Sequence, residues 1–590
     1  MRKNSVDEKL AAERKLAEQV EADFMARRAA RKMLERTWQL NAEFIAGRQY
    51  CGINAAGEIE EEEKSYGWQP RRVFNRIAPT VELRCAKLSR MRPALSVRSP
   101  SEDECGKAAA ALSAAILAAA AQTGGLDEAL TRAINWSETC GTAFYKVVWD
   151  NGGGAVVGES DGGPVFEGGV KVIAVPPGEI YPYSPDEESV QAQPSIIQAR
   201  ALPVQDIYSA YGVKLAGGGD RLGVKLAEGY ELLIERYERP GAARSDGRFT
   251  VVAGGRLLYD GALPYKNGVN GIRGYPFVKQ TCMPLAGSFF GTSVVERMIP
   301  VQRAYNAVRN RKHEFLNRIS MGTIAVEEGS VDADDLAEDG LRPGKVIIYR
   351  QGSKPPEMLT MGSLPEAFER EEETLRDEFA AISGTGDITQ NGDAFSSVTS
   401  ATGLQLLVEQ DEARLNVCYE SIKQALKEVG RHILRLYRQF ATETRLVREG
   451  DGMRCFKGCE ITADDVVLES DGDVNLTPAE RRNVIYELID RGLLSDEDGK
   501  LGRAARNRAL EYIGYGSFAE DDLAQLHARR AEEENAAFAS GEVPVKDYDD
   551  HAVHIERHTA YLLSGRCPAG EEERVEAHIA LHKDKSKEEK

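Results

Sequence analysis

The 590-residue chain has little that would tie it to a membrane, a disulfide framework or a nucleotide. Aromatic residues make up 7% and cysteines number nine, an odd count scattered from Cys51 to Cys567, which fits free thiols in a reducing compartment. Cys455 and Cys459 form a lone C-x3-C without the second ligand pair that zinc needs. The charged N-terminus (MRKNSVDEKLAAERK) has no apolar h-region and so does not read as a signal peptide. The longest small-apolar run, Ala108 to Ala121, is alanine-rich and reads as too short for a bilayer. No G-x-x-x-x-G-K-[ST] motif occurs, so a P-loop is excluded. His313-Glu314 opens like a zincin, but the second histidine is replaced by Asn317. Positive charge is also in deficit: 75 Lys and Arg against 94 Asp and Glu leave a net charge of −19. That balance argues against a free-standing nucleic-acid clamp, which works by neutralising phosphates.

What is present is a long chain of several domain-sized units with ordinary globular composition: 42% hydrophobic and 29% charged. The pattern predicts α+β, predominantly helical. Residues Val6 to Ile45 read as helix, with Met1 to Arg36 a thinly apolar arm that reads equally as frayed. Helices are expected over Glu104 to Ala121 and Leu126 to Cys140, divided by Gly124-Gly125. Strands are expected at Leu95 to Arg98, Gly141 to Asp150, Gly168 to Val175, Tyr230 to Arg236 and Phe249 to Tyr259.

Beyond Phe289 the pattern becomes helical. Pro300 suits a first helical position, and Val301, Tyr305, Val308, Phe315 and Ile319 mark one face. Arg303, Arg311 and Arg318 fall on the far side, with Arg309 and Lys312 nearer the stripe. A second helix is expected from the capping box Ser363-Leu364-Pro365-Glu366, with Leu364, Phe368, Leu375, Phe379 and Ile382 as its stripe. About 45 residues of β character lie between them (Thr323 to Val326, Lys345 to Tyr349), and the stretch Glu327 to Asp339 holds seven acids and no base. This reads as an antiparallel helix pair carrying a β module at one end. Ser383 to Ser400 is a Gly/Ser/Thr/Asn loop. A helix of about 40 residues, roughly 60 Å long, is expected after it. Its stripe runs Leu404, Leu407, Leu415, Cys418, Ile422, Leu426, Val429, Ile433, Leu436 and Phe440. Short strands over Cys455 to Asn475 and helices at Pro478 to Leu494, Leu501 to Tyr512 and Glu520 to Ser540 follow, and the last 25 or so residues read as frayed.

The one catalytic-looking cluster is Asp549, Asp550, His551, His554 and His558. On a helix, positions 551, 554 and 558 share a face and have a spacing suited to metal ligands. The alternative, which carries more weight, is a capped helix start with packed imidazoles. No cofactor, metal or catalytic residue is therefore expected.

The order of parts resembles a tailed-bacteriophage portal protein, the head-to-tail connector. The residues that carry this resemblance are RVFNRIAPTVELRCAKLSRMRPALSVRS (Arg72 to Ser99), WSETCGTAFYKVVWD (Trp136 to Asp150), VPPGEIYP (Val175 to Pro182) and FFGTSVVERMIPVQRAYNAVRN (Phe289 to Asn310). The long helix after SSVTSATG (Ser396 to Gly403) and DDHAVHIERH (Asp549 to His558) complete it, over about residues 35–560. The signal is their shared order, since no single motif is specific.

The resemblance implies a ring, usually a dodecamer, at one capsid vertex of the virion, assembled in the bacterial host cytoplasm. Double-stranded DNA would be packaged and ejected through it without sequence readout. Terminase large subunit, then the head–tail adaptor or tail proteins, would dock on it, alongside major capsid and scaffolding protein. It also implies a domain plan: a helical arm over 1–36, a wing over 37–290, stem helices over 291–319 and 363–383, and an acidic β clip over 320–362. A tunnel loop over 384–400, a long wing helix over 401–445, wing strands over 446–475, crown helices over 476–565 and a disordered tail over 566–590 complete the plan. The channel residues implied are Asp387, Thr389, Gln390, Asn391 and Asp393 in the loop, and Arg303, Arg309, Arg311, Lys312 and Arg318 on the stem. The clip's acidic face would comprise Glu327, Glu328, Asp332, Asp334 and Asp335. Twelve copies would carry roughly −230 charges, so acidic walls would repel phosphates while a few basic rings centred the duplex. Rival readings are another phage head–tail structural protein, or a metal-dependent nuclease built on the 549–558 cluster.

Overall fold

The computed structural model describes residues 2–64, 71–90, 95–101, 103–160, 163–242, 244–268, 271–321, 323–331, 346–359, 365–384, 415–449, 452–468, 478–491, 509, 523–538, 541, 543–546, 548–563, 567–568 and 570–588. The chain divides into two units, Met1–Asp471 and Gly472–Lys590. Helix and strand are mixed, compatible with α+β.

The helices of the first unit are α1 (Arg2–Ile45), α2 (Ile77–Ser89), α3 (Glu104–Thr123), α4 (Leu126–Cys140), α5 (Val204–Tyr211), α6 (Val294–Met321), α7 (Glu366–Ser383) and α8 (Asn416–Phe440). Two antiparallel sheets form its β core. One has five strands in the order 256–261, 248–253, 230–238, 195–203 and 180–182. The other has three, 277–281, 142–150 and 169–175. The expected strand over Phe249 to Tyr259 is a hairpin, because Gly254 and Gly255 both take positive φ and turn the chain. Leu95–Val97 pairs with Val466–Leu468, joining residues some 370 apart in sequence.

Helix α1 is continuous over Arg2–Ile45 and is docked from Ala17 onward, the helical one of the two readings of this segment. Ala17, Val20 and Phe24 are fully buried against Tyr181, Ile197, Ala199, Leu232, Ile234 and Val252 of the five-stranded sheet. Arg31 donates to the carbonyl of Pro177 at 3.0 Å and stacks 3.7 Å over the Tyr181 ring. Three apolar anchors one turn apart, reinforced by bound arginines, suffice where the apolar stripe itself is thin.

The alanine run is longer as a helix than the sequence reading had it. Asp103 caps α3 by accepting from the Gly106 amide at 3.1 Å, and Cys105–Thr123 is long and apolar enough to cross a membrane by length and composition. Its Leu112, Ile116, Leu117 and Ala120 are buried, and with that face it packs on α4, α8 and neighbouring strands. The chain then turns through Gly125 in the left-handed region into α4.

Pro300 does not open a helix. It sits inside α6, which begins six residues earlier, where the Ser293 hydroxyl accepts from the Val295 amide at 3.0 Å. The described part of the long helix, α8, spans 25 residues, and the expected residues 401–414 lie outside the described set. Its stripe holds: Leu415, Cys418, Ile422, Leu426, Val429, Ile433 and Leu436 are buried.

The second unit contains α9 (Pro478–Asp490), α10 (Leu523–Ala537), α11 (His551–Leu563) and α12 (Glu572–Glu588). Helices α10, α11 and α12 pack together, with Phe538, Cys567, Val575 and Ile579 as their apolar core. The terminal segment is helical over 572–588. Its burial rests on few apolar residues because two of its inward positions are histidines, His578 and His582.

Candidate functional site: the α6–α7 helix pair

Helices α6 and α7 run antiparallel, with Tyr305 against Phe379 and Phe315 against Phe368, each ring pair 6.4 Å apart. The capping box expected at Ser363 lies outside the described residues, and α7 begins at Glu366 behind Pro365. The two helices bracket an insert whose described part is one antiparallel strand pair, Thr323–Ala325 with Glu357–Leu359. The stretch Lys345 to Tyr349, expected as strand, has no regular structure where described, and Val346 and Ile348 are over 80% exposed. Glu357–Leu359 takes its place as the partner strand. Glu327 and Glu328 are exposed, and Glu327 accepts from the Lys354 amide at 2.8 Å. Asp332, Asp334 and Asp335 lie outside the described residues, as do Asp387, Thr389, Gln390, Asn391 and Asp393.

The basic side of α6 resolves into separate roles. Arg309 and Lys312 reach the buried carboxylate of Glu372 on α7 at 3.0 and 3.2 Å, so their charge is met inside the chain. Arg376 also donates to Glu372, and the Tyr305 hydroxyl does so at 3.4 Å. Burial works to raise the Glu372 pKa, but the bonds from Lys312 and Arg309 outweigh it and hold the carboxyl below its ordinary value. Arg303 donates to the Cys51 carbonyl at 2.6 Å and lies 3.5 Å from Glu62. Arg311 is exposed, and among the described residues it makes no ion pair. Nothing is described of the Arg318 side chain.

A second set of residues on α6 escaped the sequence reading. Gln302, Asn306 and Asn310 are buried at steps of four. Gln302 accepts from the Arg76 amide and donates to the Phe74 carbonyl, both at 3.0 Å. Asn306 accepts from the Phe74 amide at 2.9 Å. Asn310 accepts from the Arg72 amide at 3.0 Å and donates to its carbonyl at 2.8 Å. Three amide side chains thus satisfy an extended backbone segment as a neighbouring strand would, and dock residues 72–76 on α6. The signal available in the sequence was an amide at i, i+4 and i+8 on the face beside the apolar stripe.

Both ends of the stretch 384–415 converge on Arg84 of α2. Its guanidinium pairs with Glu138 at 2.6 Å, donates to the Ser383 carbonyl and lies 3.5 Å from the Cys418 sulfur. Glu138, Cys282 and Cys418 would form a metal-like trio, but Arg84 already supplies the cation there. Burial opposes the Arg84 charge, and Glu138 more than compensates, raising its pKa above the ordinary guanidinium value.

In the second unit, the cluster expected from sequence divides. Asp550 accepts from the Ala552 and Val553 amides at 3.1 and 3.2 Å and caps α11, the helix-start reading. Asp549 accepts from the Lys546 amide and lies 3.2 Å from Arg530. His551, His554 and His558 are buried together: His551 Nδ1 faces His582, His554 Nδ1 faces Glu534, and His558 lies between Asn535 at Nδ1 and Glu534 at Nε2. The three do not form one ligand set: His558 groups with Glu534, His578 and His582, and His554 with His527 and Asp549.

Residues 250–455 match the family model for the phage SU10 portal protein. The matched stretch covers α6, the insert, α7 and the described part of α8. No curated protein matches the chain. The antiparallel helix pair with its β insert falls wholly within this match.

Proposed function

We propose that the protein assembles as a ring, of about twelve copies by resemblance to its family, at one vertex of a phage capsid and serves as a passive conduit for double-stranded DNA. The observation that carries this reading is the family match over residues 250–455. In this reading α6 and α7 form the stem, the acidic insert forms the clip on which terminase and then adaptor or tail proteins dock, and 384–400 forms the tunnel loop. The body of the first unit and α8 form the wing, and the second unit the crown. A heterologous interface repeated by a fixed rotation closes into such a ring.

The charge supports passage without capture. The net charge of −19 per chain repels phosphates, while Arg311 offers an exposed cation on the stem in each subunit. Work would come from a separate ATPase, consistent with a sequence that has no P-loop motif.

Mass measurement and electron microscopy of the purified assembly test this directly. A ring with a central hole wide enough for duplex DNA is the expected result. A compact single copy, or a closed oligomer without a hole, would overturn it.

A further inference from the structure

The second unit gathers a set of side chains that neither the conduit reading nor simple packing uses. Glu534 on α10, His558 on α11 and His578 and His582 on α12 are all buried, and one ligand atom from each lies within 4.8 Å of all the others. Three of the separations are tighter. His578 Nε2 to His582 Nε2 is 3.1 Å, Glu534 Oε2 to His558 Nε2 is 3.5 Å, and Glu534 Oε2 to His578 Nε2 is 3.7 Å. Donors about 2.0–2.1 Å from a tetrahedral zinc ion stand roughly 3.3 Å from one another.

The surrounding hydrogen bonds orient these rings. His558 Nδ1 faces the Asn535 side-chain oxygen at 2.7 Å and so carries the proton, which leaves Nε2 as a bare lone pair. That Nε2 is fully buried with no hydrogen-bond partner. His582 Nδ1 faces His551 Nδ1 at 2.9 Å, which orients its Nε2 toward His578. His554 Nδ1 lies 3.0 Å from Glu534 Oε2 and can donate to it. Such outer partners, each holding a ligand ring by its other nitrogen or a ligand carboxylate by a donated proton, are what metal-binding imidazoles and carboxylates ordinarily have. As hydrogen-bonded packing alone the arrangement leaves His558 Nε2, which faces Glu534, a buried nitrogen without a hydrogen-bond partner, which is costly.

We propose that Glu534, His558, His578 and His582 bind one zinc ion that ties α10, α11 and α12 together, with Asn535, His551 and His554 as positioning residues. Three imidazoles and a carboxylate suit zinc among the common metals. Four protein donors close the coordination sphere, so the site is structural rather than catalytic. Two ligands at i and i+4 on α12 also account for a C-terminal helix with so few apolar anchors. The proposal stands independently of the portal reading.

The full-length chain, free of any histidine tag and purified without chelator, is the test material. Elemental analysis should find about one zinc per chain. His578→Ala and His582→Ala should lose it, and His551→Ala should weaken zinc affinity by about 10–100-fold. His527→Ala, outside the ligand set, should retain the full content. Should the ligand variants fail to fold, cobalt substitution of the parent decides, since four N/O ligands give the intense visible bands of tetrahedral cobalt. A parent that takes up no zinc, ligand variants that keep it, or the weak spectrum of octahedral cobalt would each overturn the proposal.

Discussion

Arg84 and Glu138 form an ion pair with Nε 2.6 Å from the carboxylate and side chains 2% and 0% exposed. Neither charge has access to water, so each depends on the other. The same guanidinium holds the Ser383 carbonyl at the end of α7 and approaches the Cys418 sulfur at the start of α8. One buried pair therefore anchors both flanks of the stretch between α7 and α8.

Arg84→Met should destabilise the first unit by about 3–5 kcal/mol, because it strands a buried carboxylate. Pairing it with Glu138→Leu should recover most of that loss, since neither charge then remains buried alone. Denaturant midpoints of the parent, single and double variants measure both effects. Equal loss in the single and double variants would show that the ion pair is not the source.

Glu372→Gln removes the charge that Arg309, Lys312 and Arg376 share and should cost about 1.5–3 kcal/mol. The pH dependence has a definite sign. A carboxyl held below its ordinary value contributes stability above the unfolded value of about 4.3, and that contribution fades as pH falls through the lower folded value. Thermal melting across the acid range should show this loss in the parent and a flatter profile in Glu372→Gln.

His432 on α8 gives an acid effect of different origin. Burial, aided by the nearby Arg435 charge, pushes its pKa down to about 3, and its Nδ1 has no hydrogen-bond partner. Between about pH 6.5 and 3 the unfolded chain then binds a proton that the folded chain refuses, so stability falls with pH by up to about 1.4 kcal/mol per unit. His432→Leu should remove that slope, and comparing melting temperatures at pH 7 and pH 4.5 reads the difference. An identical slope in parent and variant would refute it.

Deleting Gly386 to Ala394 should leave ring assembly intact while lowering retention of packaged DNA, if this stretch points into a channel. Particle counts by electron microscopy and nuclease-protected DNA per particle report the two separately. Failed assembly, with normal retention in any rings that form, would assign the segment to subunit contacts instead.

Much of the architecture was legible residue by residue. The stripe from Leu415 to Leu436 is buried as its spacing required, and the Gly124-Gly125 break divides α3 from α4. These features are local: a period of 3.6 or a glycine's freedom needs no knowledge of the rest of the chain. Even the nearness of Arg309 and Lys312 to the apolar stripe follows from helical geometry. Their engagement with Glu372, some 60 residues away, does not.

What only tertiary structure decided is which distant groups meet. Sequence placed His551, His554 and His558 on one face, yet those three do not converge. Folding of α10 and α12 against α11 instead assembled Glu534, His558, His578 and His582. The docking of α1, the pairing of Leu95–Val97 with Val466–Leu468 and the Arg84–Glu138 pair belong to the same class. Periodicity records which side of an element is buried. The identity of what lies opposite is set by packing among segments that share no local pattern, so it became readable only in three dimensions.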